Sequence, residues 1–305
     1  MKTRQEMKAN MTFNIWLWVV LCVACLVASC DHDAHGDEPG GLSVSLAWAD
    51  DADQGTVVND VKLWIFNADD GALIEEKHYG SAQEVASQRF HLAKGRYRVV
   101  AVANLIEPFT TSGATDMNQL LLGLSSPSAS PDHAYYGVTD ITIDKPDACH
   151  ACKNEMRRVL AELTINIEGV AEGTTIRGKV LNVATGFLPL KKNDDGTFGT
   201  TLPAKEECEI PSEAATQGNV LTTETLRLMP TANGWLTTRL FIQLVAQNGT
   251  VSSYDIEAPM MKTSGKYQIN LKLDEMKPYM YLTSTKIDDW TEGWVYRGEI
   301  LNPGN

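Results

Sequence analysis

After residue 28, this 305-residue chain has no apolar run long enough to cross a bilayer. It also lacks a glycine-rich phosphate loop, a paired-histidine zinc helix and a strand-turn-helix serine elbow. The six histidines are scattered, with no acid partner at a telling spacing. No catalytic constellation emerges, so the chain is not read as an enzyme, and no cofactor is expected. Basic residues are scarce: 26 Lys and Arg face 39 Asp and Glu, a formal net charge of −13. Removing the first 29 residues takes away Lys2, Arg4, Lys8 and Glu6, which leaves 23 cations against 38 anions and a net charge of −15. A body this acidic argues against nucleic acid or an anionic membrane face as partner, because both attract positive charge.

What is present begins at the N-terminus. Lys2, Arg4 and Lys8 precede an apolar run from Phe13 to Ala28, interrupted by Asn14 alone. The run is about 16 residues, short of the ~20 that a helical span needs. It ends in Leu26-Val27-Ala28-Ser29-Cys30, a small-residue cleavage site followed by cysteine. This predicts a lipoprotein signal peptide over residues 1–29, with Cys30 as the lipid attachment site. The Cys30 thiol takes a diacylglycerol and the freed amine a third acyl chain. At roughly 0.8 kcal/mol per buried methylene, several chains hold a protein at a bilayer nearly permanently. Residues 30–41 then form a tether. Its two histidines among four acids (Asp31 to Glu38) suggest metal binding, but no apolar residue fixes them and the stretch ends in Pro39-Gly40-Gly41. A flexible, solvated linker is the preferred reading, and no metal site is assigned.

Cys22 and Cys25 leave with the signal, so Cys149, Cys152 and Cys208 remain, an odd number for an oxidising compartment. Cys149 and Cys152 have the C-x-x-C spacing of thiol oxidoreductases, which place the motif at a helix N-terminus to lower the thiol pKa. Here it follows Lys145-Pro146-Asp147 and precedes a strand-like run. A structural disulfide among these three cysteines, or a loose loop, is expected instead.

Alternation with period two dominates from residue 42 onward and predicts an all-β body. The first strand is expected at Leu42–Trp48. Val61, Leu63 and Ile65 face one way with Trp64 and Phe66 on the other side, so that strand is read as covered on both faces. Asn67 to Gly71 is a hairpin turn before a return over Ala72–Tyr79. Tyr97 to Ala103 and Tyr136 to Ile143 read as strands, and a short amphipathic helix is expected over Asp116–Leu124. In the second half, Val159, Ala161, Leu163, Ile165 and Ile167 share one strand face. Further strands are expected at Thr175–Ala184, Thr223–Met229, Leu236–Ala246, Val251–Glu257, Tyr267–Leu273 and Tyr279–Ile287. These place one β-sandwich over 42–150 and another over 151–305. The acidic loops Asp50–Val61 and Asn193–Gly196 lack full calcium-ligand spacing and read as turns. Trp48, Trp64, Trp235, Trp290 and Trp294 sit in or beside strands, where packing is the expected role.

Several runs, in order, carry a resemblance. They are Leu63-Trp64-Ile65-Phe66-Asn67-Ala68-Asp69-Asp70-Gly71, Leu92 to Asn104, Tyr135-Tyr136-Gly137, Arg158 to Ile165, Tyr267-Gln268-Ile269 and Ile287-Asp288-Asp289-Trp290. Behind the Cys30 motif, the chain resembles the FimB-type fimbrial anchor lipoproteins of Bacteroidales over nearly all of its mature length. One departure is Val102, where that family often has tryptophan. The acidic stretch after Cys30 also resembles a surface-export signal of Bacteroidales lipoproteins. The resemblance implies two tandem transthyretin-like β-sandwich domains at the base of a surface fimbrium. It also implies contact with a fimbrial stalk subunit by strand complementation, and attachment to the outer membrane through lipid. A stalk subunit loses its first strand to an Arg/Lys-specific protease, whereas an anchor keeps it. No Lys or Arg occurs between Cys30 and Lys62, so the expected first strand offers no such cut. The competing class is a surface-exposed lipoprotein that grips glycan or protein through exposed aromatics.

Overall fold

In the first half, period-two sequences become a sheet whose central strands are buried on both faces. A computed structural model describes residues 40–50, 53–126, 130–193, 195–211, 214–273, 280–288 and 298–299. The chain from Gly40 onward forms one compact unit. Its first sheet contains β1 (Gly41–Trp48), β2 (Val61–Asn67), β3 (Leu73–Tyr79), β4 (Gly95–Ala103), β7 (Tyr135–Ile143) and β8 (Cys149–Arg158), ordered β1-β8-β7-β4-β2-β3. Only the β1–β8 pair is parallel; its neighbours run antiparallel. The β2–β3 turn closes on its own side chains. Asp69 N–H donates to Asn67 Oδ1 (2.8 Å), Ala72 N–H donates to Asp70 Oδ1 (3.0 Å), and Gly71 takes φ +78°.

The two faces of this sheet enter different cores. Val61, Leu63 and Ile65 pack with Leu42, Val99 and Met156, while Trp64 and Phe66 pack with Val100, Val102 and Leu122. The first core is capped by α1 (Ala82–Ser87), which buries Val85. Ser81 Oγ accepts from Glu84 N–H (3.2 Å), and the Glu84 carboxylate accepts from Gly80 N–H (2.7 Å), which fixes where α1 starts.

The second core is roofed by a sheet drawn from both halves of the sequence. It contains β5 (Phe109–Ser112), β6 (Leu121–Leu124), β11 (Gly186–Lys192) and β12 (Phe198–Thr201), ordered β12-β11-β6-β5. The helix expected over Asp116–Leu124 does not form. Asp116 Oδ1 accepts from Asn118 N–H (2.7 Å), a local turn that competes with helix, and Leu120 and Leu122 point into the core at strand spacing. Phe187 is fully buried and meets the Tyr136 ring edge-on, with centroids 4.7 Å apart.

Beyond Arg158 the chain turns through Val159 and Leu160, both fully buried, so the strand expected from Val159 begins two residues later. One sheet holds β9 (Ala161–Glu168), β14 (Ala214–Gln217), β15 (Val220–Thr223), β16 (Leu226–Leu228), β19 (Lys266–Leu273), β20 (Met280–Asp288) and β21 (Gly298–Glu299). The other holds β10 (Thr175–Ala184), β13 (Lys205–Ile210), β17 (Thr237–Val245) and β18 (Val251–Pro259). Ala161, Leu163, Ile165 and Ile167 are fully buried, as their alternation predicts. The expected Thr223–Met229 strand is divided between β15 and β16, because Thr223 Oγ1 takes the N–H of Ile165 (3.0 Å). Residues 289–297 and 300–305, including Trp290 and Trp294, lie outside the described residues.

Gly199 holds a φ of +103°, and a Cβ there would stand 2.5 Å from both Phe187 Cζ and Tyr136 Oη. Gly199→Ala is expected to destabilise the chain by about 1–3 kcal/mol through overpacking and backbone strain, read as a lower urea midpoint at unchanged slope.

Candidate functional site

The strand that sequence reasoning singles out, β1, is seated in the body along its whole length. Eight register pairs join it to β8, from Gly41↔Cys149 to Trp48↔Met156. Gly41 N–H donates to Ala148 O and Ala49 N–H to Met156 O, both at 3.0 Å, so odd-numbered residues turn their amides toward β8. Ser43 Oγ and Ser45 Oγ add bonds to His150 O (3.1 Å) and Cys152 O (3.3 Å). Leu42 on the other side exchanges backbone bonds with Phe90 at 2.9 Å. Leu42 and Val44 are 0% and 1% exposed, so the strand contributes to the core. Trp48 lies edge-on to Tyr135 at 4.7 Å.

A buried charge cluster fastens the end of β1. Arg158, 3% exposed, donates from Nε to both Asp53 oxygens (3.0 and 3.1 Å) and from Nη2 to Asp50 Oδ2 (3.2 Å). Tyr135 Oη donates to Asp53 Oδ1 (3.3 Å). Glu162 lies 3.5 Å from Arg158 Nη1 and 2.7 Å from His133 Nε2. Burial alone would lower the Arg158 pKa. The hydrogen bond and charge of Asp53, with Glu162 and Asp50, more than offset this and leave it raised. The His133 hydrogen bond, acting against burial, and the nearby charges of His133, Arg158 and Lys266 hold the Glu162 carboxyl below the ordinary glutamate value. The acidic loop after Asp50 thus serves Arg158. Among the described residues, no three His, Cys, Asp or Glu side chains gather as a metal site.

Cys149, Cys152 and Cys208 stand unpaired in the structure, and the C-x-x-C pair lies in a strand where a loose loop was one expectation. Cys149 and Cys152 open β8, where positions three apart face opposite sides: Cys149 is exposed and Cys152 buried. Burial pushes Cys152 up to about 11, eased by the Thr139 hydroxyl, and burial with the Glu209 charge pushes Cys208 up to about 11. Cys30 lies outside the described residues. At Asn193–Gly196, the Asp195 carboxylate accepts from Thr197 N–H (2.9 Å), a self-closed turn. Trp48 and Trp64 pack as expected. Trp235 does not: it is 40% exposed beside Leu236 at 86%, with Lys205 Nζ 3.8 Å from its ring centroid.

The family model of the fimbrillin-A associated anchor proteins Mfa1 and Mfa2 matches residues 34–295. The chain belongs to this family. The fimbrial anchor protein Mfa2 from Porphyromonas gingivalis shares its fold at 13% identity, covering 85% of this chain and 99% of that one (TM-score 0.57). A fimbrial assembly protein from Parabacteroides distasonis is similar at 11% identity, covering 84% and 98% (TM-score 0.55). A Bacteroides thetaiotaomicron protein put forward as polysaccharide-binding is similar at 13% identity, covering 85% and 98% (TM-score 0.57). No curated protein sequence matches the chain. Membership in the fimbrillin-associated anchor family makes this a fimbrial structural protein at the cell surface, not an enzyme.

Sequence reasoning found β1 but missed the cluster that fastens it, because Asp53 and Arg158 are 105 residues apart. Two measurements test this account. Iodoacetamide added to the native body should alkylate Cys149 while sparing Cys152 and Cys208, which react after denaturation; equal labelling of all three would contradict their burial. For Glu162, the lowered folded-state pKa means its stabilisation is present above the unfolded glutamate pKa and is lost as pH falls through the folded value. Urea midpoints measured from neutral pH down past the glutamate range should therefore fall less steeply in Glu162→Gln than in the parent.

Proposed function

We propose that this chain is the membrane-proximal anchor of a fimbrium, attached to the outer membrane by lipid on Cys30 and limiting fimbrial length. Residues 1–29 are the removed signal and residues 30–41 the lipidated tether. Residues 42–150 and 151–305 are two sandwich modules, the first taking β8 from across that boundary. The observation that carries the reading is β1, seated in its own core behind Cys30, with no Lys or Arg from residue 31 to residue 61. A subunit that keeps its first strand has no empty groove to fill with another subunit's strand. It therefore ends the fimbrium at the membrane and meets the last stalk subunit by lending a strand instead of receiving one.

The test is Cys30→Ala in cells that make the fimbrium. The variant should take up no labelled palmitate and leave the membrane fraction, with fimbriae shed into the medium. Palmitate still entering the variant, or fimbriae retained at normal length, would refute the anchor role. A second reading, a surface lipoprotein that grips glycan or protein, is favoured by the exposed Trp235–Leu236 pair. Immobilised glycans that retain the parent but not Trp235→Ala, with fimbriae unaffected, would support it.

A further inference from the structure

We infer that the β1–β8 ladder is a mechanical clamp, arranged so that tension entering through the N-terminus loads it in shear. The physiological use rests on the anchor reading; the mechanical property belongs to the isolated chain.

The directions of the strands carry the argument. β8 runs from Cys149 to Arg158 and is joined to β9 by the two-residue bend Val159-Leu160, so its C-terminal end lies at the joint to the second half. β1 is parallel to it, which puts Gly41 beside Cys149, at the end of the ladder remote from the Arg158–Ala161 joint. A pull on the chain preceding Gly41, resisted through the joint from β8 to β9, therefore drags β1 and β8 in opposite directions along their common axis. In that geometry every rung of the ladder shares the load and the rungs must fail together. Had β1 been antiparallel, its N-terminus would sit at the joint, and the same pull would open the ladder one rung at a time.

Three further features oppose sliding. Ser43 and Ser45 donate hydroxyl bonds to the β8 carbonyls beside them, so the strands are cross-linked by side chains as well as backbone. Leu42 and Val44 would have to leave the core for β1 to move along its axis. Behind the strand, Asp50 and Asp53 hold the following loop to Arg158, and Arg158 is itself the last residue of β8. β8 and the lock behind β1 thus end on the same residue, Arg158, at the joint to β9.

Constant-force measurements on the full mature chain test this, because rupture under load reports an unfolding rate. One handle is attached through a bio-orthogonal side chain at Thr250, in the β17–β18 turn, and the other at either Glu38 or Ala49. Pulling at Glu38 loads the ladder in shear, while pulling at Ala49 enters it at its other end and peels it. The expected result is a several-fold longer lifetime for the Glu38 attachment at the same force. Ser45→Pro, which removes an amide facing β8, should shorten the Glu38 lifetime and leave the Ala49 lifetime nearly unchanged. If that variant does not fold, the Ser43→Ala, Ser45→Ala double variant should show the same selectivity in smaller degree. Equal lifetimes for the two attachments, or variants that weaken both alike, would overturn the clamp. This outcome is read on purified protein, so it is independent of whether Cys30→Ala releases fimbriae from cells.

Discussion

The Arg158 guanidinium is the point on which the rest of this structure turns. It closes the first sheet, precedes the covalent joint to the second half, and holds the loop that leaves β1. A charge at 3% exposure is tolerated because carboxylates saturate it: both oxygens of Asp53, with Asp50 and Glu162 beside them. Removing one partner of such a group typically costs about 3–5 kcal/mol, chiefly because the other charge is left buried and alone. Geometry is a separate matter from stability here. A hydrophobic residue could fill the space at the joint, but it would not fix the angle at which the Asp50–Asp53 loop departs. Ser264 Oγ donates to Arg158 O (3.2 Å), which fastens the same residue from the second half.

Much of the fold was legible because period-two alternation is a strong signal when one face is buried. Ala161 to Ile167 reads as a strand face and is one; the Val61, Leu63, Ile65 face and the Trp64, Phe66 face correctly implied cover on both sides. Local turn chemistry was equally plain at Asn67–Gly71. Errors arose where two local signals competed. Over Asp116–Leu124, charge and leucine spacing suggested a helix, yet Asp116 spends its side chain on a turn and Leu120 and Leu122 are needed two apart. The helix found among the described residues, Ala82–Ser87, carried its own signature in Ser81-x-x-Glu84, a capping pair that went unread because the segment is so short.

The candidate site was legible in part. The strand at Gly41–Trp48 could be read from its period-two alternation alone. Its parallel pairing with β8 could not, since Cys149 to Arg158 was masked by a cysteine motif that invites redox explanations. A strand places Cys149 and Cys152 on opposite faces, so the motif dissolves once the backbone is extended. The buried cluster was invisible for a different reason: Asp50, Asp53, His133, Arg158 and Glu162 come from three separate regions, and no periodicity links them.

The β1–β8 pairing also dictates an order of events during folding. Ser43 and His150 are 107 residues apart, so the strand made first in the body is completed by one of the last pieces of the first sheet. Until β8 arrives, β1 lacks its ladder partner and the core around Leu42 and Val44 lacks Cys152 and Met156, and closing so long a loop delays the contact further. A nascent or newly exported chain therefore passes through a stage with an unpaired apolar strand at its leading end. That is the state most exposed to wrong pairing with neighbouring chains.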